Sequence, residues 1–420
     1  MRIRVCPTHF FLWRAIILSF GFVSLGSAEN WTRFRGPNGA GLSDAPTVPV
    51  KWDRDDIRFS AELPGVGHSS PVIWDDRLFV TGADSAQGIR YLICLDAETG
   101  ARKWTKEFAF KSYKKHNNNS FASSTPAVDG DHVYVLWQSP EGSSLSAFSH
   151  EGRQAWTADL GPYRHGQGGG TSPILFEDLV VVSNDHGAGS FLAAYDRTSG
   201  KERWKIPREG QRACYSTPCV YEPGGQPAEL IFTHCFEGVI GVDPKTGKQK
   251  WMIDVFGRFP QRAVVSPFVA GNLVITGSGA RGGERNIVVI EPPAGGEKEA
   301  VEKYRASKTG TPHVPTPVAY KAWLFLWGDN GIVSCQEIGT GKTVWQKRIG
   351  GNFFSSPICI DGKLYGVDLE GTVVVIAASD QFAELARNEL GQPTRATPAV
   401  ANGTLYVRTE SLVFAIGGKK

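Results

Sequence analysis

The sequence predicts an all-β protein, an eight-bladed β-propeller of four-stranded antiparallel blades, on three observations. A Ser/Thr-Pro step recurs eight times, an Asp–Gly turn followed by an aromatic recurs between the steps, and a strand missing at the C-terminus has a spare counterpart near the N-terminus. The steps are Ser70-Pro71, Thr125-Pro126, Ser172-Pro173, Thr217-Pro218, Ser266-Pro267, Thr316-Pro317, Ser356-Pro357 and Thr397-Pro398, separated by 55, 47, 45, 49, 50, 40 and 41 residues. A period of roughly 40–50 residues is that of propeller blades. Because the repeat fills the chain, its 420 residues read as one toroidal domain rather than the two or three that length alone suggests.

Residues 1–28 read as a secretory signal. Arg2 and Arg4 give a basic start, Ala15–Leu25 is apolar and uncharged, and Gly26-Ser27-Ala28 supplies small residues before Glu29. The apolar run is short for a bilayer span of roughly 20 residues, so cleavage is expected rather than anchorage, with a periplasmic or secreted monomer as the product. Cys6 precedes the run and cannot be the lipid-bearing first residue of a mature lipoprotein. Removing the segment takes away Arg2, Arg4 and Arg14 and no acid, which leaves basic and acidic residues equal in number. That balance excludes the basic footprint of general nucleic-acid binding. Residues 29–56 then form an arm and 57–418 the ring, with no further segment able to cross a membrane.

Within each repeat the Pro opens a first strand, a polar turn such as Asp129-Gly130-Asp131 or Asp361-Gly362-Lys363 follows, and a second strand begins about seven residues on. Leu78-Phe79-Val80, Val133-Tyr134-Val135 and Leu405-Tyr406-Val407 are examples. This is hairpin chemistry, stretched only in the fourth blade by Glu222–Ala228. A third strand runs into LDAETGARKW (Leu95–Trp104), YDRTSGKERW (Tyr195–Trp204), VDPKTGKQKW (Val242–Trp251) or QEIGTGKTVW (Gln336–Trp345). The second blade ends its shortened version at Trp156, and Tyr304 and Phe382 hold the aromatic place in the fifth and seventh. The Asp can bond its own turn while Gly takes φ > 0, and the aromatic opens a fourth strand, where it is expected buried between blades. No stretch sustains a 3.6-residue apolar period; Gln381–Leu390 comes nearest to a helix. The last blade runs out after Val413-Phe414-Ala415. Ile57–Leu63, with Phe59 in the aromatic place, supplies its fourth strand and closes the ring.

The repeated [LV]-D-x-x-T-G-x-x-x-W string resembles the tryptophan-docking motif of the pyrroloquinoline-quinone-type propeller repeat, and the resemblance covers about residues 57–418. The lead-in WTRFRGPNGAG (Trp31–Gly41) also resembles the start of many exported proteins of this class. That superfamily holds quinoprotein alcohol dehydrogenases and the noncatalytic outer-membrane assembly lipoprotein BamB, so it implies the fold without choosing a function. The rival WD40 repeat requires GH and WD dipeptides that recur once per blade, and here Gly67-His68, Trp52-Asp53 and Trp74-Asp75 do not recur with the period.

In such a blade the loops before each Pro-started strand share a face with the turns between the second and third strands. His68, His116, His165, His186, His234 and His313 fall on that face, with Arg164, Arg212, Arg262, Arg281, Arg285 and Arg395, while acids such as Asp96, Asp129, Asp196 and Asp243 fall on the other. His68, His165, Arg212, Arg262, His313, Asn352 and Arg395 each lie a few residues before their Pro, where loops rim the central channel. Nitrogen donors in a ring suit a carboxylate or phosphate through charge-assisted hydrogen bonds. Two longer loops lie beside them. His116–Asn119 is a polar cluster, and Arg164–Gly170 is glycine-rich without the following helix a phosphate loop needs.

Asn184-Asp185-His186 and Gly328-Asp329-Asn330 read as Asx turns that also offer oxygen ligands to a hard cation. Of the six cysteines after residue 28, none has zinc or haem spacing. Cys214 and Cys235 flank the first hairpin of the fourth blade and could meet across it as the disulfide of an exported protein.

The expectation is therefore a noncatalytic binding or scaffold propeller, with a protein partner or a small anionic ligand on its His/Arg-rich face. Phe353-Phe354 is the apolar loop candidate for a partner. No cofactor is called from the residues themselves. The alternative implied by the resemblance is a dehydrogenase holding pyrroloquinoline quinone and calcium at the channel mouth, with Asp185 or Asp329 as base. Against it, the chain has no adjacent Cys-Cys pair of the kind those enzymes place beside the cofactor.

Overall fold

The computed structural model describes residues 29–418 apart from 211, 223, 258–261, 281–283, 294–298 and 307–308. The expected signal segment and Arg281 lie outside the described residues. Eight antiparallel sheets carry the chain, and we label the strands of each blade A to D outward from the channel. Blade 1 is A Val72–Trp74, B Arg77–Asp84, C Ile89–Asp96 and D Arg102–Ala109, and the other blades repeat that order. Neighbouring A strands touch one another, which places them around the axis. The closing strand is found where the sequence put it. Ile57–Glu62 pairs antiparallel with Leu412–Gly417 of blade 8, with Phe59 opposite Ala415. Gln381–Leu390 is not helical: Glu384–Glu389 is the D strand of blade 7, because pairing with the C strand Thr372–Ala377 overrides a weak local preference.

The Ser/Thr-Pro repeat has a structural purpose that its spacing does not disclose. The backbone N–H of Ser70 donates to Thr125 Oγ1, that of Thr125 to Ser172 Oγ, and the relay continues through Thr217, Ser266, Thr316 and Ser356 to Thr397 at 2.9–3.3 Å. Seven of the eight blade junctions are thus stitched by the residue before Pro, while Ser70 Oγ is buried without a partner among the described residues, and Pro needs no N–H at the first position of a strand.

The aromatic repeat works the same way between blades. The indole N–H of Trp104, Trp156, Trp204 and Trp345 donates to a carbonyl in the following blade, those of His150, Arg197, Pro244 and Ser379. Tyr304 does so through its hydroxyl to Ile338. The receiving turn must be glycine for two reasons. Gly200 has φ +71° and a Cβ there would lie 2.4 Å from the Trp156 ring; Gly247 likewise has φ +71° and would meet Trp204 at 2.8 Å. Trp156, Trp204, Trp251 and Trp345 are buried and Trp104 is half-buried. Trp251 departs from the rule, donating to Glu229 of its own blade.

The arm is the element the sequence described least. Leu42–Ser43 adds a fifth strand to blade 7, parallel to Ile358–Ile360. Ahead of it, Trp31 exchanges backbone hydrogen bonds with Ile73 in blade 1, and Thr32 accepts from Val128 in blade 2. Arg33 donates to the Pro218 carbonyl and Asn38 bonds both N–H and carbonyl of Val220, in blade 4. Arg35, fully buried, donates to the carbonyls of Thr316, Pro317 and Pro357 in blades 6 and 7. A segment tied to five inner strands stoppers the channel. No helix among the described residues is long and apolar enough to cross a membrane.

Candidate functional site

Above the stopper, a cavity of about 700 Å³ occupies the channel mouth. Phe34 of the arm is part of its lining, together with the hydroxyl belt from Ser70 to Thr397. The loops before the A strands bring in His68, Arg212, Arg262, His313, Asn352 and Arg395. Those are six of the seven rim residues expected from sequence. His165 is not in the lining; it is half-buried. Burial, with Arg262, Arg212 and His186, lowers its proton affinity. The turns between B and C strands add Arg285 and Asp329, as the face assignment predicts.

Among the lining residues, four arginines face one aspartate, and that aspartate is engaged. Asp329 accepts from Arg285 at 3.3 Å and from the backbone N–H groups of His313 at 2.7 Å and Val314 at 3.3 Å. Arg395 pairs with Glu410 at 3.0 Å, yet its Nε, like that of Arg262, is buried without a hydrogen-bond partner among the described residues. His313 Nε2 is in the same condition. Such buried donors are costly unless something accepts from them. Two lining histidines, His68 and His313, are disfavoured as cations. Burial, aided by Arg395, Arg408 and Lys115, pulls His68 down to about 3, and burial lowers His313 against the pull of Asp329.

Several residues grouped by sequence on this face serve the scaffold instead. His186 and His234 are buried, and their Nδ1 atoms accept backbone N–H groups, Arg164 and Ala188 for one, Phe236 and Glu237 for the other. Asn119 donates to the carbonyls of Gln167 and Gly169, which docks the polar cluster on the glycine run, and His116, Asn118, Asn119, Gln167 and Gly170 still contribute to the cavity lining. Asp185 is buried outside the cavity, with Ser183 on one oxygen and Arg208 3.3 Å from the other. It cannot act as a base on anything in the mouth. Phe353 is fully buried against Trp327, and only Phe354 of that pair lines the cavity.

The mouth fits the carboxylates of a quinone cofactor but not the calcium that accompanies it. A calcium ion takes six to eight oxygens, and the single lining carboxylate is committed to Arg285 and two amides. Among the described residues one set of three potential metal ligands converges, Cys214, His234 and Cys235, all buried and outside the lining.

A family model described as outer membrane protein assembly factor BamB matches residues 32–216, 188–291 and 283–416. A BamB of Moranella endobia is 25% identical over 265 residues, 59% of this chain and 64% of the relative, so the match spans less than two thirds of that protein. Among solved structures, a europium-containing methanol dehydrogenase superposes with TM-score 0.66 at 12% identity, covering 91% of this chain and 90% of its own. BamB from Moraxella catarrhalis gives 0.59 at 13%, covering 86% and 98%. The quinohemoprotein alcohol dehydrogenase of Comamonas testosteroni gives 0.65 at 12%, covering 93% and 81%. At these identities the structural matches establish the propeller and nothing further.

Proposed function

The chain belongs to the BamB family of pyrroloquinoline-quinone-like propellers, and we propose that it is an exported, noncatalytic binding module whose stoppered mouth captures an anionic group. The observation that carries this reading is the cation excess in the cavity, four arginines against one engaged aspartate. A carboxylate or phosphate entering there meets guanidinium donors in a partly desolvated cup, where charge-assisted hydrogen bonds are strong. The bound group belongs to a small ligand or to a side chain or terminus of a protein partner. The N-terminal 28 residues and the family both support a place in the cell envelope or outside the cell.

A quinone would be held by Arg212, Arg262 and Arg395 through its carboxylates and would supply two-electron oxidation chemistry. Among the described residues the lining offers neither a free carboxylate base nor a calcium cage. Protein mixed with quinone and calcium is therefore expected to show no dye-linked oxidation of alcohols or sugars. Turnover abolished by Arg262→Ala would overturn the noncatalytic reading.

A further inference from the structure

We infer that Cys214 and Cys235 are an oxidisable pair whose disulfide cross-links the wall of the cup beneath Arg212 and Arg262. The two sulfurs lie 3.1 Å apart, and the Cys235 amide also donates to Cys214 Sγ at 3.4 Å. Both residues are buried, and they pack with Ala263 and Phe236 in a small apolar cluster of their own. Cys214 follows Arg212 by two residues and precedes Tyr215, and both flanking residues line the cavity. The Tyr215 amide in turn donates to the carbonyl of Ala263, next to Arg262. One bond between these sulfurs would therefore fix the loop bearing Arg212 to the turn after the B strand of blade 4, and brace the Arg262 loop beside it.

The surroundings suit a sulfur–sulfur bond better than a shared ion. Two sulfurs on one zinc ion stand roughly 3.8 Å apart at Zn–S lengths near 2.3 Å, farther than they do here. The lone pair of His234 Nδ1 is already occupied by two backbone N–H groups, which leaves its buried Nε2, without a partner among the described residues, as the nitrogen a shared ion would need. Arg208 lies between Asp185 and Glu237, 3.3 and 3.2 Å from their oxygens, so its charge is balanced by carboxylates. The Cys214 thiol donates to the Cys235 sulfur, which sets Cys235 as the attacking sulfur and leaves Cys214 as the one that resolves the mixed disulfide.

In the exchange the Cys235 thiolate attacks a small external disulfide and expels one thiolate. Cys214 loses its proton, attacks the Cys235 sulfur of the mixed disulfide and expels the second. Two S–H bonds are lost and one S–S bond is formed. The two electrons and both protons leave on the external disulfide, now two thiols. The export reading supplies a compartment where such oxidants persist, and the inference rests on it only for that oxidant.

The test uses the full-length purified protein, reduced and then held with oxidised glutathione just below its melting temperature. Denaturation with an alkylating agent, digestion and mass measurement follow. The expected product is one linked peptide pair, Cys214 with Cys235, two hydrogens lighter than its reduced form, with Cys6, where retained, and Cys94, Cys219, Cys335 and Cys359 alkylated. Reduction should then lower the melting temperature by on the order of 5 °C, and Cys235→Ser should melt alike with and without reductant. Both sulfurs remaining alkylatable, or a stoichiometric metal ion retained by the protein and lost in Cys214→Ser, would overturn the inference. The mass readout does not depend on whether the cup binds an anion, so the two readings fail separately.

Discussion

His68 shows how far a residue's chemistry departs from its type. Read as a rim nitrogen it suggests a cation, yet burial beside Arg395 and Arg408 pulls its folded pKa to about 3, against roughly 6.5 unfolded. Between those values the unfolded chain binds more protons than the folded one. The stability tied to neutral His68 is therefore complete above about pH 6.5 and drains away as pH falls toward 3. His165 and His313 are lowered too and act in the same direction. Melting temperatures measured from pH 7 to pH 4 should fall, and His68→Gln should flatten part of that fall; identical profiles would show that His68 takes its proton freely. At this scale the sequence placed six rim residues correctly, because their distance from Pro fixes their place on the loop. It could not separate His186 and His234, whose lone pairs are spent on local amides, nor find Phe34, since nothing in a polar arm announces re-entry into the channel.

Each blade element is specified by its neighbour as much as by itself. The T-G-x-x-x-W string looks like a turn followed by a hydrophobic strand start, but its glycine exists for the aromatic of the preceding blade and its aromatic for the glycine of the next. Trp204 illustrates the pairing: it is buried, bonds the Pro244 carbonyl and covers Gly247. Trp204→Ala should cost on the order of 3–5 kcal/mol, as for other large buried aromatics, measured by denaturant unfolding. A loss under about 1 kcal/mol would mean that the indole is not what docks blade 3 on blade 4. The repeat made this element legible, even in blade 7, where Phe382 marks the fourth strand although the local window Gln381–Leu390 has the most helical composition of the ring and takes its strand character from the C strand it pairs with. The hydroxyl relay was visible as eight Ser/Thr-Pro steps, although its direction around the ring needed coordinates.

As a whole the molecule is a ring closed by its own N-terminal segment twice over, once by Ile57–Glu62 at the rim of blade 8 and once by the arm in the channel. Arg35 is the pin of the second closure: it is fully buried, and five backbone carbonyls accept from it, two inside the arm and three from blades 6 and 7. Truncation after Gly41 should remove the floor of the cup and lower the melting temperature while leaving the rim strand, and truncation after Glu62 should abolish cooperative unfolding. If both truncations melt like the intact chain, the arm is an appendage. The ring and its rim closure were legible because a missing strand and a spare one must match, whereas the stopper was not.

The central claim, that the stoppered mouth binds an anion through its arginines, is tested most directly by calorimetric titration of the full-length protein with citrate and with inorganic phosphate. Saturable binding of one of them is predicted, weakening as salt rises and falling by about a hundredfold or more in Arg212→Ala/Arg262→Ala, since each lost charged hydrogen bond costs about 1.5–3 kcal/mol. Binding that the double variant leaves unchanged, or no heat from either anion at low salt, would contradict it.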